Sequence, residues 1–589
     1  MAAITQYCVT CHNQRTQTGG LSLENLDTAS IPAHAEVWEK VVRKLRTGAM
    51  PPLGVRRPDR ATYDQLITSL ETALDKDPVV PGRPPIFHRL NRAEYGNAVR
   101  DLLALDVDVA ALLPPDDSAY GFDNIADALG VSPVLMERYL VAADTISTLA
   151  LGDREALPGS ATYRVRQDLS QDQHVEGMPF GTVGGRLIHH TFPADGEYDL
   201  QVKLFRTNSD VMRGLEHPQQ LEITVDGQRV FLVTIGGEEY VNLLFKDTTA
   251  AAEGVEKRLK VRTTITAGPH EIGAAFLHRS NVSDTRALQP YLRSSVDTYD
   301  FTGRPHIDTV TLTGPFNVTG ASDTPSRRRV FACRPTTVAD ETRCARQILT
   351  TLARRAFRRP VTDEDMRPLL AFYEAGRRGG TFEKGIQAGV QRILASPMFV
   401  FRFEREPARV APGSAYPIDE VELASSLSFF LWSSIPDDAL LDLAGHGTLR
   451  KAPVLEQQVR RLLADERSQQ FVSNFAGQWL QLRNLNSLIP NSEEFPDFDD
   501  NLRHAFQKET ELFFDSIVRE DRSVLDLLTA DYTFVNERLA KHYGIPNVYG
   551  SHFRRVTQTD EVRKGLLGKG SILMVTSHAD RTSPVSRGK

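Results

Sequence analysis

The sequence predicts a multidomain α+β protein: in chain order a small all-α domain, a second small helical domain, a β-sandwich and a large all-α C-terminal region. Three observations carry this. The chain has 589 residues, which at ordinary domain sizes divides into about three to five units. Apolar residues recur at helical spacing up to about residue 150, at a spacing of two from Tyr163 to Asn317, and at helical spacing again beyond Pro325. A proline-rich stretch, Asp77 to Pro85, reads as a linker after the first unit. Hydrophobic residues make up 41% and charged residues 25% of the chain, ordinary values for folded domains. A net charge of −7 gives no support for nucleic acid as a partner, and no uninterrupted apolar run is long enough to span a bilayer.

The first unit, residues 1–78, opens with Cys8, Val9, Thr10, Cys11 and His12. Two thiols at this spacing can add across the two vinyl groups of one porphyrin, with the adjacent histidine under the iron. Cys8 and Cys11 therefore read as covalent haem anchors and His12 as the proximal iron ligand. Half a zinc site or a thioredoxin-like dithiol would use the same spacing. The zinc reading needs a second ligand pair nearby, yet the remaining cysteines are Cys333 and Cys344. The dithiol reading needs a preceding strand in a βαβ pattern, which the residues around Cys8 lack.

The other side of the iron falls to Met50, in Thr47-Gly48-Ala49-Met50-Pro51-Pro52, where glycine and proline hold an irregular loop. A thioether there raises the reduction potential and closes the iron to outside ligands. The bland reading of Met50 is a core methionine. Val37, Trp38, Val41, Val42 and Leu45 recur at helical spacing before the loop; Tyr63, Leu66, Ile67, Leu70 and Leu74 do so after it, with Asp59 as N-cap. This order of haem site, helix, methionine loop and helix resembles a small class I cytochrome c domain. The resemblance implies that the loop methionine is the sixth ligand and that the last helix packs across the first. A single Cys-x-x-Cys-His predicts one haem c per chain.

Residues 86–150 form the second helical unit. Asn91 and Glu94 have the spacing of a capping box ahead of Tyr95, Val99, Leu102 and Leu103, and Ser132-Pro133 starts another helix. The acids between them, Asp116 and Asp117, could bind a cation but read more simply as a solvated turn. Over residues 160–317 the runs are strand-like. Leu221 to Val225 meets Phe231 to Val233 across Asp226-Gly227, a tight-hairpin pair. Leu259 to Ile265 alternates, Ala267-Gly268-Pro269-His270 turns, Glu271 to Leu277 returns, and His306 to Leu312 is the last strand. This order resembles the jelly-roll carbohydrate-binding modules, which implies polysaccharide as a partner. The aromatic candidates for stacking on a sugar are Tyr240, Tyr291, Tyr299 and Phe301, each equally readable as core.

Residues 330–405 and 415–589 are read as helical, with helices at Thr342–Ala356, Asp363–Arg377, Phe382–Leu394, Asp419–Trp432, Pro453–Leu463, Ser468–Leu482 and Asn501–Arg519. Phe471, Phe475 and Trp479 read as a core stripe, and Asp437-Asp438 and Asp499-Asp500 as helix caps and solvated turns. Cys333 and Cys344 flank the start of one helix; a disulfide is expected, the alternative being two unrelated buried thiols.

Four strings, Arg89 to Tyr95, Arg355 to Val361, Leu394 to Phe399 and Arg581 to Lys589, look like a family of exported multidomain proteins of planctomycetes and related bacteria. In that family a cytochrome c-like domain precedes helical domains of unknown function. The resemblance implies haem and a periplasmic or extracellular location. The N-terminus shows neither a charged region nor an apolar core of a leader, and the C-terminus closes no periodic element, so the chain reads as a piece of a longer exported protein. With histidine and methionine on iron, the expected function is electron transfer to a redox partner protein. The alternatives are an oxidoreductase, its catalytic residues not legible, or a binding protein acting on polysaccharide with the haem as electron relay.

Overall fold

A computed structural model describes residues 2–24, 26, 31–52, 54–76, 87–277, 303–405, 416–558 and 560–588. The expected linker and Tyr291, Tyr299 and Phe301 lie outside the described residues. The chain forms two compact units, one of Met1–Ile86 with Glu406–Pro417 and one of Phe87–Arg405 with Ile418–Lys589.

The first unit is built from α1 (Ala2–Tyr7), α2 (Ala35–Arg46) and α3 (Arg60–Lys76). Trp38 and Leu45 of α2, Leu66, Ile67 and Leu70 of α3, and Ile4 of α1 bury their side chains in one core with Leu23 and Ile31. Asp59 accepts the Thr62 N–H at 2.8 Å, the cap expected for α3. Arg46 of α2 holds Glu71 of α3 through two bonds, of 2.6 and 2.8 Å, in solvent, where such a pair orients helices more than it stabilises them.

The second unit begins with β1 (Phe87–Arg89), α4 (Arg92–Leu103), α5 (Val109–Leu112) and α6 (Pro133–Leu151). Asn91 and Glu94 form the reciprocal capping box, and the Ser132 hydroxyl accepts the Leu135 N–H ahead of Pro133. Eight strands follow: β2 (Gly159–Arg164), β3 (Thr182–Phe192), β4 (Asp195–Leu204), β5 (Gln219–Val225), β6 (Gln228–Ile235), β7 (Lys260–Ile265), β8 (Gly268–Leu277) and β9 (Ile307–Gly320). They make two antiparallel sheets, ordered β2-β9-β4-β7 and β3-β8-β5-β6. The pairing is nested, first strand with last, second with seventh, third with sixth and fourth with fifth. Phe192, Leu200, Leu221, Ile223, Ile272 and Val310 lie in the core shared by the two sheets.

At the β5–β6 hairpin Asp226 and Gly227 both have positive φ, 51° and 74°, the twist that suits a two-residue turn. Gly185 sits at a bulge where a Cβ would lie 1.9 Å from the Ala274 carbonyl oxygen, so no other residue fits. Two expectations are corrected. The turn before His270 does not return β8 onto β7: β7 pairs with β4 and β8 with β3 and β5, so the turn crosses between sheets. The stretch is also not all strand, since α7 (Glu238–Leu244) and α8 (Thr248–Arg258) interrupt it, Asp247 capping α8 through the Ala250 N–H.

Beyond the sandwich come helices at Glu341–Phe357, Asp363–Arg378 and Phe382–Leu394, then β10 (Phe401–Phe403), which pairs antiparallel with β1. One core joins Tyr95, Val99 and Leu102 of α4 and Tyr139 and Ile146 of α6 to Ile348, Leu352, Ile386, Ile393 and Phe399. The helices before and after the sandwich thus share their burial. Cys333 and Cys344 are joined in a disulfide at the start of the Glu341–Phe357 helix, their Cα atoms 5.6 Å apart. A loop this short constrains the unfolded chain by about 2–3 kcal/mol in the chain-entropy treatment. The Cys333→Ser, Cys344→Ser double variant is expected to lose that much in denaturant unfolding; an unchanged midpoint would show that the loop is already restrained when unfolded.

The remaining helices include Glu420–Trp432, Asp438–Gly445, Ala452–Ala464 and Asp500–Arg519. The region is not helical throughout, because β11 (Tyr532–Val535) pairs with β12 (Arg554–Thr557). The expected helix over Ser468–Leu482 is broken by a π turn at Val472–Ala476. Its Phe475 and Trp479 are 37% and 47% exposed, so that part of the predicted core stripe faces outward, while Phe471 packs against a buried core.

Candidate haem site

At the end of α1 the chain coils into a compact turn. The Cys8 N–H donates to Ile4 O at 2.9 Å, and the N–H groups of Cys11 and His12 donate to Cys8 O at 3.2 and 3.0 Å. The Leu23 N–H pins the turn from outside through His12 O at 2.7 Å, and the Asn13 amide holds Val9 O at 3.0 Å. Cys8, Cys11 and His12 are therefore brought together by bonds to backbone oxygens, leaving their side chains free for a ligand. Both cysteines are unbonded thiols, Cys8 half-buried and Cys11 exposed. Burial pushes the Cys8 thiol above its ordinary pKa.

Met50 follows α2 in a loop held from two helices. The N–H groups of Ala49 and Met50 donate to Lys44 O at 3.0 and 3.2 Å, Gly48 turns with φ of 65°, and the Tyr63 hydroxyl of α3 donates to Met50 O. Arg57 closes the loop onto Gly48 O at 3.0 Å. The Met50–Pro51 bond is cis, and the Met50 side chain is half-buried.

Among the described residues of this unit three buried polar atoms have no partner: His12 Nδ1, Ser22 Oγ and Trp38 Nε1. Each such atom costs about 1–3 kcal/mol if nothing meets it. Unpartnered polar atoms in a unit that also carries two free thiols and a thioether loop are compatible with a large planar group with carboxylates, attached by sulfur and ligated by imidazole and thioether. Among the described residues no carbonyl or carboxylate engages His12 Nδ1. The zinc reading fares worse. Among the described residues no three His, Cys, Asp or Glu side chains converge to hold a metal ion. Trp38 and Tyr63 were legible only as members of apolar stripes. The Tyr63 hydroxyl, bonded to Met50 O, is the signal that assigns that residue a second role.

Residues 8–54 match the family described as planctomycete cytochrome C. The matched stretch runs from the first motif cysteine past Met50, so the chain carries a cytochrome c domain at its N-terminus, and that family implies haem c. Residues 88–152, 344–404 and 418–545 match three families described as proteins of unknown function, DUF1587, DUF1595 and DUF1592. The sandwich lies outside all four matches. No curated protein and no solved structure matches the chain. Among the described residues no helix is long and apolar enough to cross a membrane.

The other residues singled out in the sequence find structural work. Tyr240 is buried in the sandwich, its hydroxyl donating to Met212 O and accepting the Met212 N–H at 3.0 and 3.1 Å, so it offers no platform for a sugar. Asp116 is not a solvated acid: Arg89 binds it at 2.8 Å with both side chains buried. Asp437 caps a helix and pairs with Arg461. Asp499 and Asp500 are buried, the former capping a helix and held by Arg538 at 3.1 Å, the latter paired with Arg503, which corrects the expected solvated turn.

Proposed function

We propose that the protein is an exported, monohaem c-type cytochrome that relays electrons to and from a redox partner protein. Cys8 and Cys11 anchor the haem, and His12 and Met50 hold its iron. The observation that carries this is the Cys8–His12 turn, in which bonds to backbone oxygens present two free thiols and the His12 imidazole together, inside a segment of the cytochrome family. When bound, the haem supplies one-electron chemistry. The chain's own residues hold it in a fixed place: the turn orients His12, and the clamp from Tyr63 and α2 sets the Met50 backbone. Trp38, Ile4 and Leu70 keep water from the interior, and Trp38 Nε1 and Ser22 Oγ stand ready as donors. With His12 and Met50 both holding the iron, electron transfer would be favoured over activation of oxygen or peroxide.

One Cys-x-x-Cys-His supports one haem, and the need to attach haem outside the cytoplasm supports export. The nested strand pairing of the sandwich is that of a jelly roll, but the fold by itself assigns no ligand. With Tyr240 in the core, glycan binding by the sandwich is not adopted as a second reading.

The test is covalent haem. Protein exported alongside haem-attachment machinery is expected to retain one haem per chain on a denaturing gel and by haemochrome assay, and the Cys8→Ala, Cys11→Ala variant none. Wild-type protein without covalent haem would end the proposal.

A further inference from the structure

The second unit holds a cleft that electron relay does not use. Its volume is about 490 Å³, within the range of roughly 300–1,000 Å³ usual for small-molecule sites. One wall is α4, with Arg92 and Asn97; the others come from the loops around Asp106 and Asp123 and from Gln470 and Arg483 of the C-terminal region. Part of the wall on α4, Arg92 and Ala93, belongs to the string Arg89–Tyr95, three of whose other polar members are engaged elsewhere. Asn91 and Glu94 cap the helix, and Arg89 binds Asp116.

The charges of the lining nearly cancel. Asp116 is neutralised by Arg89, and Asp123 is held by Arg483 and by the Asn91 amide at 2.9 Å. What is left for a ligand is Asp106 and the outer end of Arg92, whose Nε already donates to Pro114 O at 3.2 Å, one of each sign. Gln470 is oriented by Asn97, whose Nδ2 donates to its Oε1 at 3.3 Å, which leaves the Gln470 amide N–H groups to donate. A guanidinium and an amide that donate, with a carboxylate that accepts, match hydroxyl groups, which do both. A phosphate or a cation would require a surplus of one sign.

A row of rings adjoins the lining in sequence. Phe122 and Phe471 are the chain neighbours of Asp123 and Gln470. The Phe475 ring stacks on Phe471 at 5.3 Å with the planes 2° apart, on Phe122 at 6.1 Å and on Trp479 at 5.9 Å. In an α-helix side chains four apart drift around the axis. The wider π turn at Val472–Ala476 offsets that drift and brings residues 471, 475 and 479 into one file. Exposed, stacked rings suit the flat apolar face of another ring. A nucleobase would satisfy them but brings phosphates that the cleft does not balance; the ring of a neutral sugar brings only hydroxyls.

We infer that the cleft and the ring row together bind a neutral saccharide, its hydroxyls in the cleft and a ring face on Trp479 at the end of the row. This activity is independent of the haem.

The experiment is calorimetric titration of the full chain with cellohexaose, xylohexaose and mannohexaose, and with oligogalacturonate and AMP as anionic comparisons. Asp106→Ala and Trp479→Ala alter exposed side chains, and their folding is checked by circular dichroism. Saturable binding of at least one neutral oligosaccharide is expected, weakened by about tenfold or more in each variant, the loss of one good contact. No saturation by any of the three up to about 10 mM, a limit at which binding is negligible, would overturn the inference. So would preference for an anionic ligand, or binding that only one of the two variants weakens.

Discussion

Met50→Ala is expected to leave the haem attached but abolish its sulfur-to-iron charge-transfer band, and to lower the reduction potential on the order of 0.1–0.3 V, a fraction of the span that axial ligands control. The attachment turn and the methionine loop are built separately: Cys8, Cys11 and His12 are fixed by bonds to Ile4, Cys8 and Leu23, and the loop by Lys44, Tyr63 and Arg57. The loop's clamps act on backbone atoms, so truncating the Met50 side chain leaves them intact. The vacated position then takes imidazole or carbon monoxide, which the parent protein resists. Potentiometric titration and ligand-binding spectra check this. An unchanged spectrum would give the sixth position to another residue and leave Met50 as a core side chain.

Lys569→Met is expected to destabilise the C-terminal part of the second unit by about 3–5 kcal/mol, the cost of leaving a buried charge without its partner. Lys569 and Glu509 have side chains 1% exposed and lie 3.5 Å apart. The Lys569 ammonium donates to Thr533 Oγ1 at 2.6 Å, and the Tyr543 hydroxyl donates to Glu509 at 2.7 Å while accepting the Gly570 N–H at 2.9 Å. One network thereby joins the Asp500–Arg519 helix, β11, the Glu537–Tyr543 helix and the segment at Gly570. Burial pushes the Glu509 carboxyl up and the Lys569 ammonium down, each against its partner's pull.

In Lys569→Met the carboxylate loses that pull, so its folded pKa rises further. A carboxyl with a raised folded pKa is relatively stabilising below its unfolded value and loses that advantage as pH rises through the folded one. The deficit is therefore smaller near about pH 5 than near about pH 8. Glu509→Gln combined with Lys569→Met should recover most of the loss, since no charge is left buried. Guanidinium unfolding at both pH values measures these effects. A double variant as unstable as Lys569→Met would mean that packing rather than charge sets the cost.

Local chemistry was legible wherever it is carried by neighbours in sequence. The Asn91/Glu94 box, the Ser132-Pro133 start, the Asp226-Gly227 hairpin and the Phe382–Leu394 helix all rest on bonds within a few residues. The Cys8–His12 turn is of the same kind, held by bonds within a few residues. What escaped depends on partners far apart. An apolar stripe says that a helix buries a face but not against what, so the common core of Tyr95 and Ile393 could not be read. β1 and β10 are three residues each, too short to show a period, and exist through each other. Phe471, Phe475 and Trp479 have core spacing, yet the π turn and the placement of their neighbours leave the last two in solvent. Asp499 and Asp500 look like surface acids until Arg538 and Arg503 arrive from other elements.

The interruption of one helical core by the sandwich bears on how the chain is born. On the ribosome α4 and α6 emerge with Tyr95, Val99, Tyr139 and Ile146 uncovered, and their partners at Ile348, Ile386 and Ile393 are still to be translated. At synthesis rates of about 5–20 residues per second that wait lasts roughly ten to fifty seconds. The sandwich is contiguous in sequence and can close in the interval, which brings the end of α6 and the start of the later helices toward each other before the core condenses. Until then the early helices carry naked apolar stripes, the surface that holding chaperones recognise and that drives nascent chains to aggregate. Production of this protein should therefore be limited less by its final stability than by protection of residues 92–151 during synthesis.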